Sequence, residues 1–406
     1  MKPTLVFAFA LLCFGCTSAA VPGDDAGEPA GLDAATEPDA GPSGEDAGFV
    51  SACPPGAPSP DAWDCASARP VSEGAAIEAE PLAWTWVGFE QAVCMNGSAT
   101  GIGVSIHPEA EGLLILLEGG GACFDAVSCA GVANRDGYGE AKFASDAAGL
   151  LRRGILDRGD AANPFARWSF VYVPYCTGDV HGGQQPRAAG GRRHLGFQNV
   201  SWFLTRIVPT FRDAPRVVLA GRSAGGLGTI VNYPQVAEAF GCTPVHVLND
   251  AGGLLTDEYM RPCLQRMVRD AWALDSAVPE DCEHCSCDDG GGLVNVLPYA
   301  AARYPDRRFA FVTSMEDTTM RTFFGYGYSP RCDFPQNMPG ADYAAGLEGT
   351  RALLTAHPNF RTFYVAGERH TFTYQGLATS SVDGVTLASW LDQMLDGDTG
   401  WANVGP

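Results

Sequence analysis

Residues 215–240, which read PRVVLAGRSAGGLGTIVNYPQVAEAF, decide the fold of this chain. Residues 216–220 form a short apolar run rich in β-branched side chains, which predicts a buried strand. Residues 221–225 follow at once and fit G-x-S-x-G with Ser223 at the centre. Apolar residues then recur every three or four positions, which predicts a helix whose first part is kinked or ended by Pro234. The stretch therefore predicts a strand, a sharp turn and a helix.

The turn places Ser223 at the start of the predicted helix. The free N–H groups and the dipole of a helix N-terminus favour negative charge there. A serine in this position is either an activated nucleophile or a solvated residue in a glycine-rich turn. The motif alone leaves both interpretations open, so the rest of the chain has to decide between them.

The overall charge excludes some classes of partner. The chain has 406 residues, and 26 Lys and Arg stand against 47 Asp and Glu, a formal charge of -21. Such an acidic protein is a poor partner for nucleic acid, for an anionic membrane face or for a polyanion such as de-esterified pectin. Hydrophobic residues make up 46% of the chain, enough for a sizeable core.

The N-terminus predicts export. Lys2 precedes a short apolar run that ends at Cys16, and the run is too short to cross a bilayer, so residues 1–16 are predicted to be a signal peptide. Gly15 and Cys16 resemble a lipoprotein cleavage site, although Cys13 stands where leucine is usual. We therefore expect an outer-membrane or cell-surface lipoprotein with a lipidated Cys16, or otherwise a secreted or periplasmic protein.

Composition also sets the predicted domain boundaries. Residues 17–52 are rich in Ala, Gly, Asp and Pro, so they are predicted to be a disordered tether. Residues 53–400 are predicted to form a single domain. Apart from a possible N-terminal lipid anchor, we expect no membrane contact, and we expect a monomer.

The remaining cysteines predict disulfides. Two of the 14 cysteines fall in the predicted leader, and the other 12 can form up to six bridges in an oxidising compartment. Cys53 and Cys65 bracket a short loop that we expect a disulfide to close. Cys282, Cys285 and Cys287 could instead bind zinc, but no second Cys/His pair with finger spacing accompanies them. No metal site is predicted.

Apolar runs elsewhere predict an α/β fold with a mostly parallel central sheet flanked by helices. Residues 256–299, which are rich in cysteine, predict an inserted helical cap. The predicted strands cover residues 84–87, 101–107, 113–117, 168–173, 216–220, 245–248, 308–313 and 360–365. Besides the helix within residues 215–240, helices are predicted over residues 198–207 and 341–357.

Polar and glycine residues directly after these strands predict a catalytic site. The order Ser223, Asp317, His370, each just past a strand, is the α/β-hydrolase order, with Glu316 as the alternative acid. A histidine can accept the serine proton while a carboxylate holds its tautomer. The backbone N–H groups of Gly120 and Ala224 are candidate oxyanion donors.

Four further residues are candidates for the substrate pocket, and two of them, Asp179 and His181, lie at a predicted strand end, where open α/β sheets bind their ligands. They are Gly121, Asp179, His181 and Asp250.

Several of these segments resemble the pectin acetylesterase family, which includes the animal carboxylesterase Notum. The matching stretches are LEGGGACF at 117–124, YVPYCTGD at 172–179, GRSAGGLG at 221–228, Asn249-Asp250, and GERH at 367–370. The resemblance implies a Ser-Asp-His triad at Ser223, Asp317 and His370. Relatives often carry a bulky aromatic residue where this chain has Gly121.

The leading hypothesis is an exported serine carboxylesterase that removes an acyl group, most simply acetyl, from a carbohydrate without a cofactor. One alternative is a Notum-like fatty-acyl deacylase, which would need a deep apolar pocket. Another is a surface binding protein built on an inactive hydrolase fold.

Overall fold

The computed structural model describes residues 53, 56, 60–68, 70–71, 74–329 and 332–406. The predicted signal peptide at 1–16 and the predicted tether at 17–52 lie outside the described residues. In the part of the chain that the structure describes, no helix is long and apolar enough to cross a membrane.

The centre of the described chain is one eight-stranded sheet with the strand order β1-β2-β4-β3-β5-β6-β7-β8. The strands are β1 Thr85–Val93, β2 Ala99–Ser105, β3 Leu113–Leu117, β4 Ser169–Val173, β5 Val217–Arg222, β6 Val245–Asp250, β7 Phe309–Ser314 and β8 Phe360–Val365; β9 Ser381–Val382 and β10 Val385–Thr386 form a separate pair.

The sheet is antiparallel at one edge and parallel elsewhere. Strand β2 pairs antiparallel with β1 and with β4, whereas β4, β3, β5, β6, β7 and β8 run parallel to one another. Every residue of β3 and β5 is buried, as expected for strands covered on both faces. The predicted mostly parallel sheet is confirmed, and its parallel strands all end at one edge.

Helices cover both faces of the sheet. Helices α3 to α8 pack with the core on one face, and α2 and α9 pack with the core on the other. The helices are α1 Ala126–Ala130, α2 Glu140–Ala148, α3 Gly196–Thr210, α4 Ala224–Phe240, α5 Pro262–Trp272, α6 Val296–Arg303, α7 Thr318–Phe324, α8 Gly340–Leu353 and α9 Leu387–Asp396.

Helix α4 continues through Pro234 to Phe240, so the proline does not end the helix, which was one of the two predicted outcomes. An internal proline costs a helix about 3 kcal/mol. Tyr233 and Val236, on either side of the proline, are buried in the core. Packing of an amphipathic helix contributes more to its stability than local propensity does, so burial offsets the cost.

The 12 cysteines in the described part of the chain pair as six disulfides, within the predicted maximum of six, but the expected bridge between Cys53 and Cys65 is wrong. Cys65 pairs with Cys242, and Cys53 pairs with Cys287. Both partners belong to distant parts of the chain that folding brings alongside, so a short loop in the sequence did not indicate the connectivity. The remaining pairs are Cys94–Cys176, Cys123–Cys129, Cys263–Cys332 and Cys282–Cys285.

These bridges use the thiols of the Cys-rich segment. Within the described ranges, no group of three His, Cys, Asp or Glu side chains is arranged to hold a metal ion.

Candidate active site

Ser223 lies at a strained turn between β5 and α4. Its backbone has φ 53° and ψ -118°, a conformation that non-glycine residues rarely adopt. Two glycines make the turn possible: a Cβ on Gly221 would lie 2.0 Å from the Gly225 carbonyl oxygen, and one on Gly225 would lie 2.0 Å from the Leu117 carbonyl oxygen. The Ser223 N–H donates to the Asp250 carbonyl at 2.7 Å. The predicted strand, sharp turn and helix are therefore all present.

Asp317 contacts His370 at Nδ1, which leaves Nε2 on the other side of the ring for a nucleophile. Its Oδ2 lies 2.7 Å from His370 Nδ1. Its Oδ1 accepts the N–H groups of Thr319 and Met320, at 2.9 Å and 3.0 Å, and so caps α7. The side chain of Asp317 is fully buried and that of His370 is 21% exposed. Glu316, the alternative acid, is exposed to solvent.

The glycine run after β3 lies beside Ser223 because β3 and β5 are parallel neighbours that end together. A Cβ on Gly119 would lie 2.9 Å from Ser223 Cβ. Gly120 has φ +154° and packs so closely against Tyr175 that a Cβ would meet the ring at 2.8 Å. Ala224 is the first residue of α4, where N–H groups have no partner within the helix. The two predicted oxyanion donors thus belong to segments that flank Ser223.

An apolar cavity with a volume of about 80 Å³ opens beside Ser223. Ser223 contributes the hydroxyl among the described lining residues, whose other side chains are apolar. The predicted cap forms much of the wall, through residues that include Met260, Leu264, Val268, Trp272, Leu274 and Val278. Helix α7 adds Met320, Phe323 and Phe324.

Of the four predicted pocket residues, the structure places Gly121 in the cavity wall. Asp179 is buried and accepts hydrogen bonds from the Thr177 hydroxyl and from the N–H groups of His181 and Gly196. The His181 ring is also buried, and its Nε2 lies 2.8 Å from the Glu118 carbonyl oxygen. Burial lowers the pKa of His181. Asp179 and His181 therefore hold the loop after β4 and lie outside the cavity wall.

Asp250 also lies outside the cavity wall. Its carboxylate accepts the N–H groups of Phe372 and Thr373, both at 2.8 Å, and the Thr373 hydroxyl at 2.7 Å. Burial raises the pKa of Asp250, while these hydrogen bonds and Arg222 act in the opposite direction. The side chain thus holds the segment directly after His370. Sequence position at a strand end did not distinguish this role from substrate contact.

Two charged residues of the site were missed by the sequence analysis. Arg222 is fully buried, and its Nη1 lies 3.2 Å from Glu118 Oε2. Its other donors bind Thr373: Nε donates to the hydroxyl at 2.9 Å and Nη2 to the carbonyl at 2.8 Å. The signal that could have found this pair is a charged residue at the carboxyl end of each of two apolar strands, at Glu118 and Arg222.

A scan against known families adds an independent observation to this geometry. Residues 80–288, just over half of the chain, match the family model for pectinacetylesterase. The chain belongs to the pectinacetylesterase family. The resemblance inferred from the sequence motifs is confirmed.

Known proteins similar to this family member include Notum proteins. The chain is 30% identical over 151 residues to palmitoleoyl-protein carboxylesterase notum2 of Xenopus laevis. The aligned region covers 36% of this chain and 30% of that protein. It is 28% identical over 220 residues to notum1 of the same species, covering 47% of this chain and 42% of that protein. The chain thus spans less than half the length of these curated relatives.

Solved structures support the fold. The structure of the Wnt deacylase Notum from Drosophila superposes with a TM-score of 0.57, covering 80% of this chain and 96% of that one. Sequence identity over this match is 19%. The chain therefore has a Notum-like α/β-hydrolase fold.

Proposed function

We propose that this pectinacetylesterase family member is a serine carboxylesterase with Ser223 as nucleophile. The observation that carries the proposal is the 2.7 Å bond between His370 Nδ1 and Asp317 Oδ2, together with the strained turn that presents Ser223. Because Nδ1–H donates to Asp317, the neutral ring keeps Nε2 unprotonated and able to accept a proton.

The reaction proceeds in two acyl transfers. Ser223 Oγ attacks the ester carbonyl while His370 Nε2 takes the hydroxyl proton, and the imidazolium then protonates the departing alcohol. Water attacks the acyl-serine by the same route and releases the carboxylic acid. In both steps the N–H groups of Gly120 and Ala224 stabilise the negative charge on the carbonyl oxygen.

The apolar wall favours an acyl chain longer than acetyl. A longer, fatty-acyl chain is the alternative hypothesis of the sequence analysis. A cavity lined by side chains such as Val268, Trp272 and Phe323 excludes a sugar but removes the apolar surface of a hydrocarbon from water. Each buried methylene contributes about 0.8 kcal/mol. The names of the Notum relatives indicate that those proteins act on a palmitoleoyl group.

An acetyl ester of a carbohydrate is the second candidate, because the matching family model carries the name pectinacetylesterase. The charge of -21 disfavours an anionic polysaccharide as the carrier.

We also propose that the protein is exported. Six disulfides fit an extracellular protein, since such bridges persist in oxidising compartments. Lipidation of Cys16, the single domain at 53–400 and a monomeric state belong to the same proposal.

The test compares wild type with Ser223→Ala on p-nitrophenyl acetate, butyrate, octanoate and palmitate. Loss of a triad serine lowers turnover on the order of a million-fold. Ser276→Ala is the matched control, because this exposed serine lies in the cap and donates to the Ala273 carbonyl. It should retain wild-type turnover.

The acyl series distinguishes the two substrate candidates. We expect kcat/KM to rise from acetate to octanoate, while a maximum at acetate would favour the acetylesterase. Equal activity of wild type and Ser223→Ala would refute the proposed nucleophile. If folded wild-type protein is neither active nor labelled by a fluorophosphonate, the chain is a binding protein on an inactive fold.

A further inference from the structure

Three buried charged side chains form a row across the sheet at the carboxyl ends of adjacent strands. Arg222 of β5 pairs in register with Asp250 of β6, and Glu118 follows Leu117, which pairs with Gly221. In parallel strands, residues in register point to the same face. Alternate residues of one strand also share a face, so the Arg222 side chain lies on the same face of β5 as Val218 and Ala220. Those two residues belong to the core under α9 and not to the cavity wall.

Each end of this row holds a different catalytic segment. Glu118 Oε1 accepts the Gly119 N–H at 2.9 Å, so this carboxylate fixes the start of the glycine run. The same oxygen accepts the hydroxyl of Tyr374. Asp250 accepts the N–H groups of Phe372 and Thr373, the residues that follow His370 closely in the chain.

Arg222 lies between the two ends: it bonds to Glu118 directly, and it bonds to Thr373, which in turn donates to Asp250. Its guanidinium bonds to Glu118 and twice to Thr373, and Cζ lies 4.0 Å from the centre of the Tyr374 ring. The planar fork of arginine can make these bonds and the stacking contact at once, which a lysine cannot do. Arg222 is also joined covalently to Ser223. One side chain thus connects the nucleophile turn, the oxyanion segment and the histidine loop.

A gain in stability does not account for this arrangement. Burying an ion pair costs desolvation free energy that can exceed the attraction between the charges, and an apolar replacement is often as stable. What the pair provides is a defined geometry, because hydrogen bonds between charged groups are directional.

We propose that Arg222 is a positioning residue that sets the alignment of His370 and of the Gly119–Gly120 backbone relative to Ser223. The inference rests on the proposed function, since it assigns Arg222 a role in that same site. It predicts that loosening Arg222 slows the chemical steps and leaves acyl binding unchanged, because Arg222 lies outside the cavity wall.

The first test is Arg222→Lys, which keeps the charge and loses the fork. We expect kcat to fall about 10- to 100-fold, as small misplacements of catalytic groups cost that much, with KM unchanged. The fall should be the same for butyrate and octanoate esters, and fluorophosphonate labelling of Ser223 should slow by a similar factor. These readouts are taken well below the unfolding temperature of each variant.

Arg158→Lys is the matched control. Arg158 also donates to backbone carbonyls, those of Ala166 and Trp168, and its Cζ lies 4.0 Å from the centre of the Phe170 ring. It lies away from the catalytic segments. This variant should also lose stability, because it loses hydrogen bonds of the same kind, while its kcat stays at the wild-type value.

A second pair of variants keeps the test decisive if Arg222→Lys does not fold. Thr373→Val removes the hydroxyl that accepts from Arg222 and donates to Asp250, whereas Thr373→Ser keeps it. We expect Thr373→Val to lower kcat and Thr373→Ser to restore it. Combined with Arg222→Lys, Thr373→Val should add little further loss, because the residues act as one unit.

Three results would overturn the inference: a kcat within twofold of wild type for folded Arg222→Lys or Thr373→Val, an equal loss in Arg158→Lys, or full additivity in the double variant. Failure of the proposed function looks different. In that case Ser223→Ala would remain active, whatever the Arg222 variants do.

Discussion

Replacing Asp317 by asparagine tests the acid of the proposed triad with little disturbance of the fold. Asp317 has two separate tasks: Oδ2 accepts from His370 Nδ1, and Oδ1 caps α7 through Thr319 and Met320. Asparagine caps helices about as well as aspartate does. The free energy of unfolding should therefore change by less than about 1 kcal/mol, as long as the amide oxygen keeps the cap.

The catalytic loss should be much larger. With its oxygen at the cap, the amide of asparagine directs N–H toward His370 Nδ1, which must then become the acceptor. The ring carries its proton on Nε2 in that tautomer and cannot accept one from Ser223. This change in a Ser-His-Asp triad lowers kcat by about 10⁴-fold, equal to about 5.5 kcal/mol in the barrier.

The assay is steady-state hydrolysis of p-nitrophenyl butyrate, with thermal unfolding measured on the same samples. Glu316→Gln is the matched control, since it makes the same chemical change at the neighbouring exposed position. It should keep kcat within about twofold of wild type. An Asp317→Asn variant with more than a tenth of wild-type kcat, or an equal loss in Glu316→Gln, would refute the assignment of Asp317.

Three further predictions concern stability and specificity. Burial, and then the charges of Arg307, Arg308 and Arg216, lower the pKa of His246 to about 4, so the unfolded chain binds one more proton between that pH and 6.5. The free energy of unfolding should thus fall with decreasing pH over this window, by at most about 3 kcal/mol, and a His246→Gln variant measured by urea unfolding should lack this slope; an unchanged slope would contradict it. Gly121, with φ +87° in the cavity wall, should tolerate alanine poorly, and Gly121→Ala should lower kcat/KM for octanoate more than for acetate; equal losses would place Gly121 away from the acyl chain. Replacing Cys65 and Cys242 together by serine should lower the free energy of unfolding by about 2–4 kcal/mol with kcat unchanged, and no loss of stability would argue against this bridge.

Local sequence patterns were enough to predict the fold class and to propose the candidate catalytic residues in their order along the chain. Continuous apolar runs predicted the parallel strands, because such strands are buried on both faces and leave that signature in the sequence. The glycines at 221 and 225 predicted the nucleophile turn, since no other residue fits there. Residues that directly follow strands of a parallel sheet must gather at one edge, which is why Ser223, Asp317 and His370 could be proposed together.

Only the tertiary structure decided which side chain meets which. The sequence left Asp317 and Glu316 as alternatives, and the choice depends on the one-residue difference that buries the first and exposes the second. The disulfide partners and the buried pair of Arg222 and Glu118 join elements far apart in the chain.

The surroundings of Asp250 and the shape of the apolar cavity also could not be predicted from the sequence. Strand register placed Asp250 under the histidine loop, and packing of the cap over Ser223 created the apolar wall. Contacts of this kind depend on how whole elements pack, whereas periodicity and turn chemistry report only on neighbours along the chain. The sequence therefore determined which groups lie at the carboxyl ends of the parallel strands, and packing determined which of them line the cavity beside Ser223 and which hold the others in place.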